Sequence, residues 1–206
     1  MLAVLDYGIG NLRSAQKGLQ KAGADAQLTA DLDLIAAADA VVLPGVGAFG
    51  RCMEELHSTG LASVAIEAAD SGRPFLGICV GMQLMCAGSE ESPGMPGLGI
   101  FDVPVELLPP GLKRPQMQWN PVTATGPSVL LDGLDGDWFY FVHSYAVAPN
   151  PDIVGVCDYG GPVSAVIERG NVMATQFHPE KSGAAGLRLL QNFVAHVASS
   201  VPEGAA

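Results

Sequence analysis

The first half of the chain alternates short apolar runs with stretches of helical spacing, and this alternation limits the folds that are possible. Strands are predicted at 2–6, 26–29, 40–43 and 73–78, and helices at 12–22, 31–38, 52–58, 61–70 and 80–87. Strands that alternate with helices pair in parallel, and the helices cover both faces of the sheet. We therefore expect an α/β fold with a central, mostly parallel sheet flanked by helices.

The second half of the chain is richer in predicted strands. A loop rich in proline and glycine is predicted at 89–99. Strands follow at 100–107, 138–142, 153–156, 163–168 and 172–177, and a last helix at 185–198. These strands predict an antiparallel β extension of the same sheet. We expect one domain over residues 1–200, with 201–206 as a frayed tail.

The charge balance excludes several classes of partner. Aspartate and glutamate number 21 against 10 lysines and arginines, which gives a formal net charge of −11. A protein surface that binds nucleic acid or an anionic membrane needs clustered lysines and arginines, so we expect neither kind of surface here. We expect no signal peptide, because no basic segment precedes the first apolar run, and no membrane span, because the most apolar stretch, 36–49, is short and interrupted. The cysteines form no C-x-x-C pair, so we expect a cytoplasmic protein with neither a metal site nor a disulfide framework. No Walker motif or dinucleotide fingerprint is present, so no cofactor is expected.

The strongest chemical signal is the motif Gly77-Ile-Cys79-Val-Gly81. A buried strand is predicted to end at residue 78 and a helix to begin near Val80, which places Cys79 at a strand–nucleophile–helix elbow. Glycine two positions to either side fits so tight a bend, where a side chain would collide. A helix N-terminus favours the thiolate, the reactive form of cysteine. Cys79 is therefore the candidate nucleophile, although a buried structural cysteine could occupy the same position.

A candidate base for this nucleophile lies at His178-Pro179-Glu180. A cysteine nucleophile needs a base, and the base needs a partner that orients it. Proline disfavours helical geometry at the residue before it, so we expect extended chain in which His178 and Glu180 project to one face. The carboxylate would then hold one imidazole nitrogen while the other nitrogen faces the sulfur.

A third signal is the run Pro44-Gly45-Val46-Gly47 after a predicted central strand. Small residues leave backbone N–H groups free to approach a ligand, as an oxyanion hole requires. A plain connection from strand to helix would have the same composition.

Together these motifs resemble the class I glutamine amidotransferases, which have a Cys–His–Glu triad on a flavodoxin-like sheet. Within that class the chain resembles the glutaminase subunits of imidazole glycerol phosphate synthase, from histidine biosynthesis. The matching motifs run in order along nearly the whole chain: Asp6-Tyr-Gly-Ile-Gly-Asn-Leu12, Pro44-Gly-Val-Gly-Ala-Phe49, Gly77-Ile-Cys-Val-Gly-Met-Gln83, Met117-Gln-Trp-Asn120, Tyr140-Phe-Val-His-Ser-Tyr145 and Gln176-Phe-His-Pro-Glu-Lys-Ser182.

The resemblance implies a role for each matching residue. Cys79 would be the nucleophile, His178 the general base and then acid, and Glu180 the residue that orients it. Backbone amides of Val46, Gly47 and Val80 would form the oxyanion hole. The substrate, L-glutamine, would be bound by Gly45, Gln83, His143, Ser144 and Tyr145. The partner interface would include Asn11, Trp119, Tyr140 and Lys181.

The resemblance also implies a partner. Ammonia released from glutamine would pass through a tunnel to a cyclase subunit, a (β/α)₈ barrel that forms a heterodimer with this chain. That subunit would convert PRFAR to imidazole glycerol phosphate and AICAR. The peptide around Val46 is expected to be wrongly oriented until the partner binds its substrate, so that glutamine is not wasted.

One segment departs from the family pattern. His-Met-Gly is expected before Trp-Asn, whereas this chain has Gln116-Met117-Gln118 before Trp119-Asn120. The departure leaves the triad intact and concerns how this segment meets the partner. Two alternatives stay open from the sequence: a free-standing cysteine hydrolase on the same sheet, and a silent protein that keeps the fold for binding only.

Overall fold

The computed structural model describes residues 1–9 and 11–200, so the predicted tail 201–206 lies outside the described residues. Its strands, numbered in chain order, are β1 Leu2–Leu5, β2 Ala26–Thr29, β3 Ala40–Gly45, β4 Phe75–Cys79, β5 Gly88–Ser89, β6 Pro104–Leu107, β7 Gln116–Pro121, β8 Thr123–Ala124, β9 Trp138–His143, β10 Tyr145–Val147, β11 Ile153–Asp158, β12 Pro162–Arg169 and β13 Val172–Thr175. Its α-helices are α1 Leu12–Lys21, α2 Leu32–Ala36, α3 Phe49–Ser58, α4 Leu61–Asp70, α5 Val80–Leu84 and α6 Gly183–Ser200.

Eight strands form the central sheet, in the order β2-β1-β3-β4-β13-β12-β11-β8. The first five run parallel to their neighbours, and β12, β11 and β8 add an antiparallel edge. This confirms the predicted mostly parallel sheet with an antiparallel extension. The central strands β1, β3 and β4 are buried along their whole length, as expected for a sheet covered by helices on both faces.

Helix α1 shows how the flanking helices are held. Its buried residues Leu12, Ala15 and Leu19 recur at helical spacing and form one apolar face. The chain leaves the helix through Gly23, whose φ of 102° is the left-handed conformation that glycine adopts easily. Among residues 1–9 and 11–200, no helix combines the length and the apolar character needed to cross a bilayer.

Two small sheets lie outside the central one. Strands β10, β6 and β5 form one, and β7 pairs antiparallel with β9 in the other. The buried aromatic residues of β9, Phe139 and Phe141, pack against Phe177, with ring centroids 4.2 and 5.4 Å from it. The two-stranded β7–β9 ribbon is thereby held next to the segment that follows β13. Strand β7 was not predicted from the sequence, because its pattern is inverted: Gln116 and Asn120 are buried, whereas Met117 and Trp119 are exposed.

The structure corrects two predicted segments around the elbow. Helix α5 ends at Leu84 and not at residue 87, because amides from the following loop bond to the carbonyls that the helix would otherwise use. Leu98 N donates to Leu84 O at 2.8 Å, and Phe101 N donates to Met85 O at 2.9 Å. The loop predicted at the surface therefore packs against α5, and Leu98 is buried.

Candidate active site

Cys79 lies at the junction of β4 and α5, where the chain turns sharply. With φ of 56° and ψ of −114°, it is the one non-glycine residue of positive φ in the described chain. A non-glycine residue in such a conformation costs roughly 1–3 kcal/mol and persists only where the surroundings hold it. Its side chain is buried at the carboxyl end of a parallel strand, which is where open α/β sheets bind their ligands.

The two glycines of the elbow are required by close packing. A Cβ at Gly81 would lie 1.9 Å from the carbonyl oxygen of Leu43 on the neighbouring strand. A Cβ at Gly77 would lie 2.5 Å from the sulfur of Met85. Only a residue without a side chain lets α5 begin this close to β3, so the glycines position the cysteine between them.

We expect Gly81→Ala to destabilise the fold strongly. Its methyl group would overlap a backbone oxygen that cannot move without disturbing β3, so the free energy of unfolding should fall by about 3 kcal/mol. Urea denaturation measures the loss. Gly126→Ala is the matched control, since no atom lies within 4 Å of its added Cβ and its stability should be unchanged. Equal stability of the two variants would contradict the packing argument.

The candidate base is brought to the cysteine by the next strand of the sheet. Strand β13 pairs in parallel with β4, with Thr175 opposite Ile78, so the chain beyond β13 passes beside the elbow. There the Nδ1 of His178 lies 2.8 Å from Oε1 of Glu180, and both side chains are almost fully buried. The predicted His–Glu pair is thus formed in the structure.

The geometry of that pair differs from the expected extended chain. His178 itself is extended, with φ of −99° and ψ of 95°, but Pro179–Lys181 form one turn of 3₁₀-helix. Proline fits the first position of such a turn because its φ is preset and it has no N–H to satisfy. The amide of Lys181 closes the turn on the carbonyl of His178 at 3.0 Å. The carboxylate therefore reaches the imidazole by folding back, and the prediction of a shared strand face was wrong.

The surroundings of His178 favour its protonated form. Burial by itself lowers the pKa of an imidazole, but interactions with Cys79 and with Glu180 outweigh it and raise the pKa of His178 to about 9. The imidazole thus carries a proton at neutral pH. An imidazolium beside a cysteine is the arrangement that supports a thiolate nucleophile.

We expect Glu180→Gln to lower the pKa of His178, because the substitution removes one of the negative groups that raise it. NMR titration of the imidazole measures this shift directly. Stability should follow. The stabilisation from a raised pKa is fully present below about pH 6.5 and is lost as the pH rises through about 9. Wild-type stability should therefore decline across that range, and the decline should be smaller in the variant. An unchanged titration would show that Glu180 does not control the histidine.

The predicted oxyanion segment lies against the start of α5. Gly45 is paired with Cys79 across β3 and β4, and Val46, Gly47 and Val80 line the same cavity as the cysteine. Gly47 has a φ of 99°, which glycine tolerates and which turns the chain away from the strand. The structure places these residues in the same cavity as Cys79, and the binding of an oxyanion by their backbone amides stays a prediction.

One cavity of about 370 Å³ collects most of the candidate residues. A volume of this size suits a small molecule. Its lining includes nucleophile, base, predicted oxyanion residues and predicted substrate residues: Asn11, Val46, Gly47, Cys79, Val80, Gln83, His143, Ser144, Tyr145, His178 and Lys181. The fold therefore brings residues as far apart in the sequence as Asn11 and Lys181, more than 160 positions, to the cavity that holds the sulfur of Cys79.

Gln83 has little freedom in this cavity. Its Nε2 donates to the carbonyl oxygen of Tyr145 at 2.8 Å and to Oε1 of Gln176 at 3.0 Å. Both amide hydrogens are used in these bonds, so toward a ligand the side chain offers its Oε1 as an acceptor. Gln83 also ties α5 to β10, the strand that carries Tyr145.

His143 is a buried neutral histidine. Its Nδ1 lies 2.8 Å from the carbonyl oxygen of Tyr145, which can only accept, so Nδ1 carries the proton. Burial, with the nearby His178, lowers the pKa of His143 to about 4 despite that hydrogen bond. Its Nε2 is buried without a partner in the described residues. Ser144 and Tyr145 follow it along the cavity wall.

Two further polar residues, which were not predicted from the sequence, lie at this site. Nε2 of Gln176 lies 3.9 Å from Sγ of Cys79. Glu91 lines the cavity and accepts a hydrogen bond from the amide of Phe49 at 2.7 Å. Gln176 lies two positions before His178 in the sequence, so its place at the site could have been predicted. Glu91 belongs to the loop rich in glycine and proline, whose pattern gave no sign that it folds back to the site.

The predicted partner residues fall into two groups. Asn11 and Lys181 line the cavity itself. Trp119 and Tyr140 are paired across β7 and β9, with ring centroids 6.1 Å apart, on the outer face of the ribbon. Exposed apolar residues extend that face: Met117, Trp119 and Trp138. We call the outer surface formed by Met117, Trp119, Trp138 and Tyr140 the ribbon face.

The fold agrees with the comparisons to known proteins. A family model described as glutamine amidotransferase class-I matches residues 3–197. A solved structure described as a crystal structure of glutamine amidotransferase superposes with a TM-score of 0.77 at 18% identity, over 96% of this chain and 98% of that one. That likeness concerns the fold. The class defined by fold and site is therefore the class I glutamine amidotransferases.

Curated relatives narrow the class. The imidazole glycerol phosphate synthase subunit HisH of Methanothermobacter thermautotrophicus is 50% identical over 195 residues, which cover 94% of this chain and 98% of that protein. HisH of Syntrophotalea carbinolica is 46% identical over 203 residues, with the same coverage of both chains. The chain belongs to the HisH family, the glutamine amidotransferase subunits of imidazole glycerol phosphate synthase.

Proposed function

We propose that this chain hydrolyses L-glutamine to glutamate and ammonia and delivers the ammonia to a cyclase subunit. The observation that carries the proposal is that one cavity of a HisH family member is lined by Cys79, by Val46 and Gly47, and by His178, whose imidazole is held by Glu180. In this cavity the oxygen of a side-chain amide would face the backbone amides of the 44–47 segment, and its nitrogen would face His178. Such an arrangement suits amide hydrolysis.

The first chemical step forms a bond between the sulfur of Cys79 and the amide carbon of glutamine. The electron pair of the carbonyl moves to oxygen, and backbone amides of Val46, Gly47 and Val80 stabilise the negative charge. His178, already protonated, donates its proton to the amide nitrogen as the carbon–nitrogen bond breaks. The products are ammonia and a γ-glutamyl thioester on Cys79.

The second step releases glutamate. The imidazole, now neutral, takes a proton from water while the water oxygen attacks the thioester carbon. The carbon–sulfur bond breaks, the sulfur leaves as a thiolate, and the imidazolium is restored. Glu180 holds Nδ1 through both steps, so that Nε2 remains directed at the reacting atoms.

The cavity also supports recognition of the amino-acid end of the substrate. Glu91 brings a carboxylate to the cavity wall, which can pair with the α-ammonium group of glutamine. Gln83, His143, Ser144 and Tyr145, which line the cavity, and Gly45 beside it would bind the substrate, with the Gln83 Oε1 accepting from an N–H of the ligand. No metal or other cofactor is needed for this chemistry.

We propose that the ribbon face docks the cyclase, a (β/α)₈ barrel, in a heterodimer. Indole and tyrosine side chains in an exposed apolar patch are typical of protein interfaces. Asn11 and Lys181, the other two predicted interface residues, line the cavity. Ammonia would pass through a tunnel to the barrel, which converts PRFAR to imidazole glycerol phosphate and AICAR in histidine biosynthesis, in the cytoplasm.

The orientation of the 44–47 segment would regulate the reaction. Removing one oxyanion donor typically raises the barrier by about 3 kcal/mol, or about a hundredfold in rate. A peptide around Val46 that turns into place only when the cyclase holds its substrate would therefore prevent waste of glutamine.

The test is to mix this chain with a cyclase subunit and to follow glutamate release with and without PRFAR. The proposal expects release to be slow from the free chain and to rise by about a hundredfold in the PRFAR-loaded complex. A free chain as fast as the loaded complex would favour the alternative, a stand-alone cysteine hydrolase. No release under any condition would leave only a binding role.

A further inference from the structure

Two buried side chains outside the triad form hydrogen bonds with backbone carbonyls of the 44–47 segment. The hydroxyl of Tyr7, in the turn after β1, donates to the carbonyl oxygen of Pro44 at 2.7 Å. The thiol of Cys52, on α3, donates to the carbonyl oxygen of Val46 at 3.5 Å, a normal length for sulfur. Both side chains are essentially inaccessible to solvent, and neither lines the cavity.

These two hydrogen bonds fix the direction of backbone amides. In a trans peptide the N–H points opposite to the C=O of the same unit. Holding the carbonyl of Val46 toward α3 therefore directs the amide of Gly47 away from α3, and Gly47 lies on the cavity wall. Holding the carbonyl of Pro44 fixes the preceding peptide unit in the same way. The Gly45–Val46 peptide lies between the two anchored units.

Tyr7 also packs against Gly45, the residue of this segment that lies next to the start of α5. A Cβ at Gly45 would lie 3.0 Å from the Tyr7 oxygen, 3.0 Å from Cβ of Val80 and 2.8 Å from the amide nitrogen of Gly81. The backbone at Gly45 thus fits between the phenol on one side and the start of α5 on the other. A small displacement of the phenol would move the segment relative to Cys79.

Both anchors remain hydrogen-bond donors over the whole neutral range of pH. Burial raises the pKa of Cys52 to about 11, although the neighbouring Tyr7 opposes that rise. Burial also raises the pKa of Tyr7 well above its usual value. Each group therefore keeps the proton with which it holds its carbonyl.

We propose that Tyr7 and Cys52 are positioning residues of the glutaminase, which orient the oxyanion donors of the 44–47 segment without touching the substrate. The inference rests on the proposed function, because Tyr7 and Cys52 can position oxyanion donors only if the 44–47 segment binds an oxyanion. Such donors matter most when negative charge develops on the carbonyl oxygen. The effect of losing an anchor should therefore fall on turnover and not on glutamine binding.

The test compares Tyr7→Phe and Cys52→Ala with the wild type in the PRFAR-loaded complex with the cyclase. We expect kcat for glutamine to fall by about tenfold in each variant, part of the loss for a whole missing donor, and KM to change by less than about threefold. The affinity for glutamate γ-semialdehyde, which forms a tetrahedral adduct with the cysteine, should fall by the same factor as kcat. Alkylation of Cys79 by iodoacetamide needs no oxyanion hole and should keep its rate.

Two further variants separate the hydrogen bond from simple loss of packing. Cys52→Ser keeps a donor and should retain most of the turnover that Cys52→Ala loses. Cys86→Ala removes an equally buried thiol that donates to the carbonyl of Met82 at 3.4 Å, and its turnover should stay normal. Equal losses in Cys52→Ser and Cys52→Ala, or in Cys86→Ala, would overturn the inference.

The possible failures can be told apart. If the wild-type complex releases glutamate and both Tyr7→Phe and Cys52→Ala retain its kcat, the positioning role is wrong and the proposed function stands. If the wild-type complex releases no glutamate, the proposed function fails and the inference fails with it. A fall in the iodoacetamide rate would place the effect on the sulfur itself and would also overturn the inference.

Discussion

Cys79→Ala should abolish glutamine-dependent cyclisation in the complex while leaving cyclisation with added ammonium salts nearly normal. The alanine variant has no sulfur to form the thioester, so glutaminase turnover should fall by a factor on the order of 10⁴ or more. The cyclase reaction depends on ammonia and not on its source, so external ammonia should bypass the loss. Assays of cyclised product with glutamine and with ammonium chloride measure the two activities side by side.

The control for this variant is Cys86→Ala, which removes another buried thiol close in sequence. It should retain both activities. Should ammonium salts fail to rescue the Cys79→Ala complex, the substitution would have damaged the fold or the interface, and the division of labour between subunits would be wrong. Should glutamine still support cyclisation, Cys79 would not be the nucleophile.

His178→Gln should also lose glutaminase activity, for a different reason. General acid–base catalysis contributes typically 10²–10⁴-fold, so we expect turnover to fall by about 10³-fold, with KM for glutamine changed far less. The buried amide that replaces the imidazole can still accept or donate a hydrogen bond, but it cannot carry a proton between the leaving nitrogen and water. Steady-state assays of glutamate release give both constants.

A matched control for that variant is His196→Gln on α6. His196 is partly buried, and its Nε2 lies 3.1 Å from Oδ1 of Asn171, well outside the cavity residues. Its loss should leave turnover unchanged. A His178→Gln variant that kept more than a tenth of wild-type turnover would remove the imidazole from the proposed proton path.

The parts of the fold that follow local rules were predictable from the sequence. The parallel strands β1 to β4 and the helices between them show the periodicity of buried strands and amphipathic helices, and the structure confirms them. The elbow was predictable because Gly77 and Gly81 are the residues that its packing requires. The bounds of α5 were not, since its end is set by amides of a loop more than ten residues further along the chain.

The site was predictable to a smaller extent. The motifs identified Cys79, His178 and Glu180, and the structure forms the pair of His178 with Glu180 through a turn that the sequence pattern did not foresee. Glu91, Tyr7 and Cys52 gave no chemical signal. Tyr7 and Glu91 act across contacts between segments distant in sequence, as with Tyr7 and Pro44. Cys52 bonds to a carbonyl only six positions before it, but only the fold shows that this backbone group faces its thiol.

The central claim, that Cys79 is the residue that takes the glutamyl group, is tested most directly by trapping. The wild-type complex, mixed with glutamine and PRFAR and quenched in acid within the first turnover, is digested and mapped by mass spectrometry. One glutamyl group is expected on the peptide that contains Cys79, and none in Cys79→Ala. Glutamate released with the adduct on another residue, or adduct formation that persists in Cys79→Ala, would contradict it.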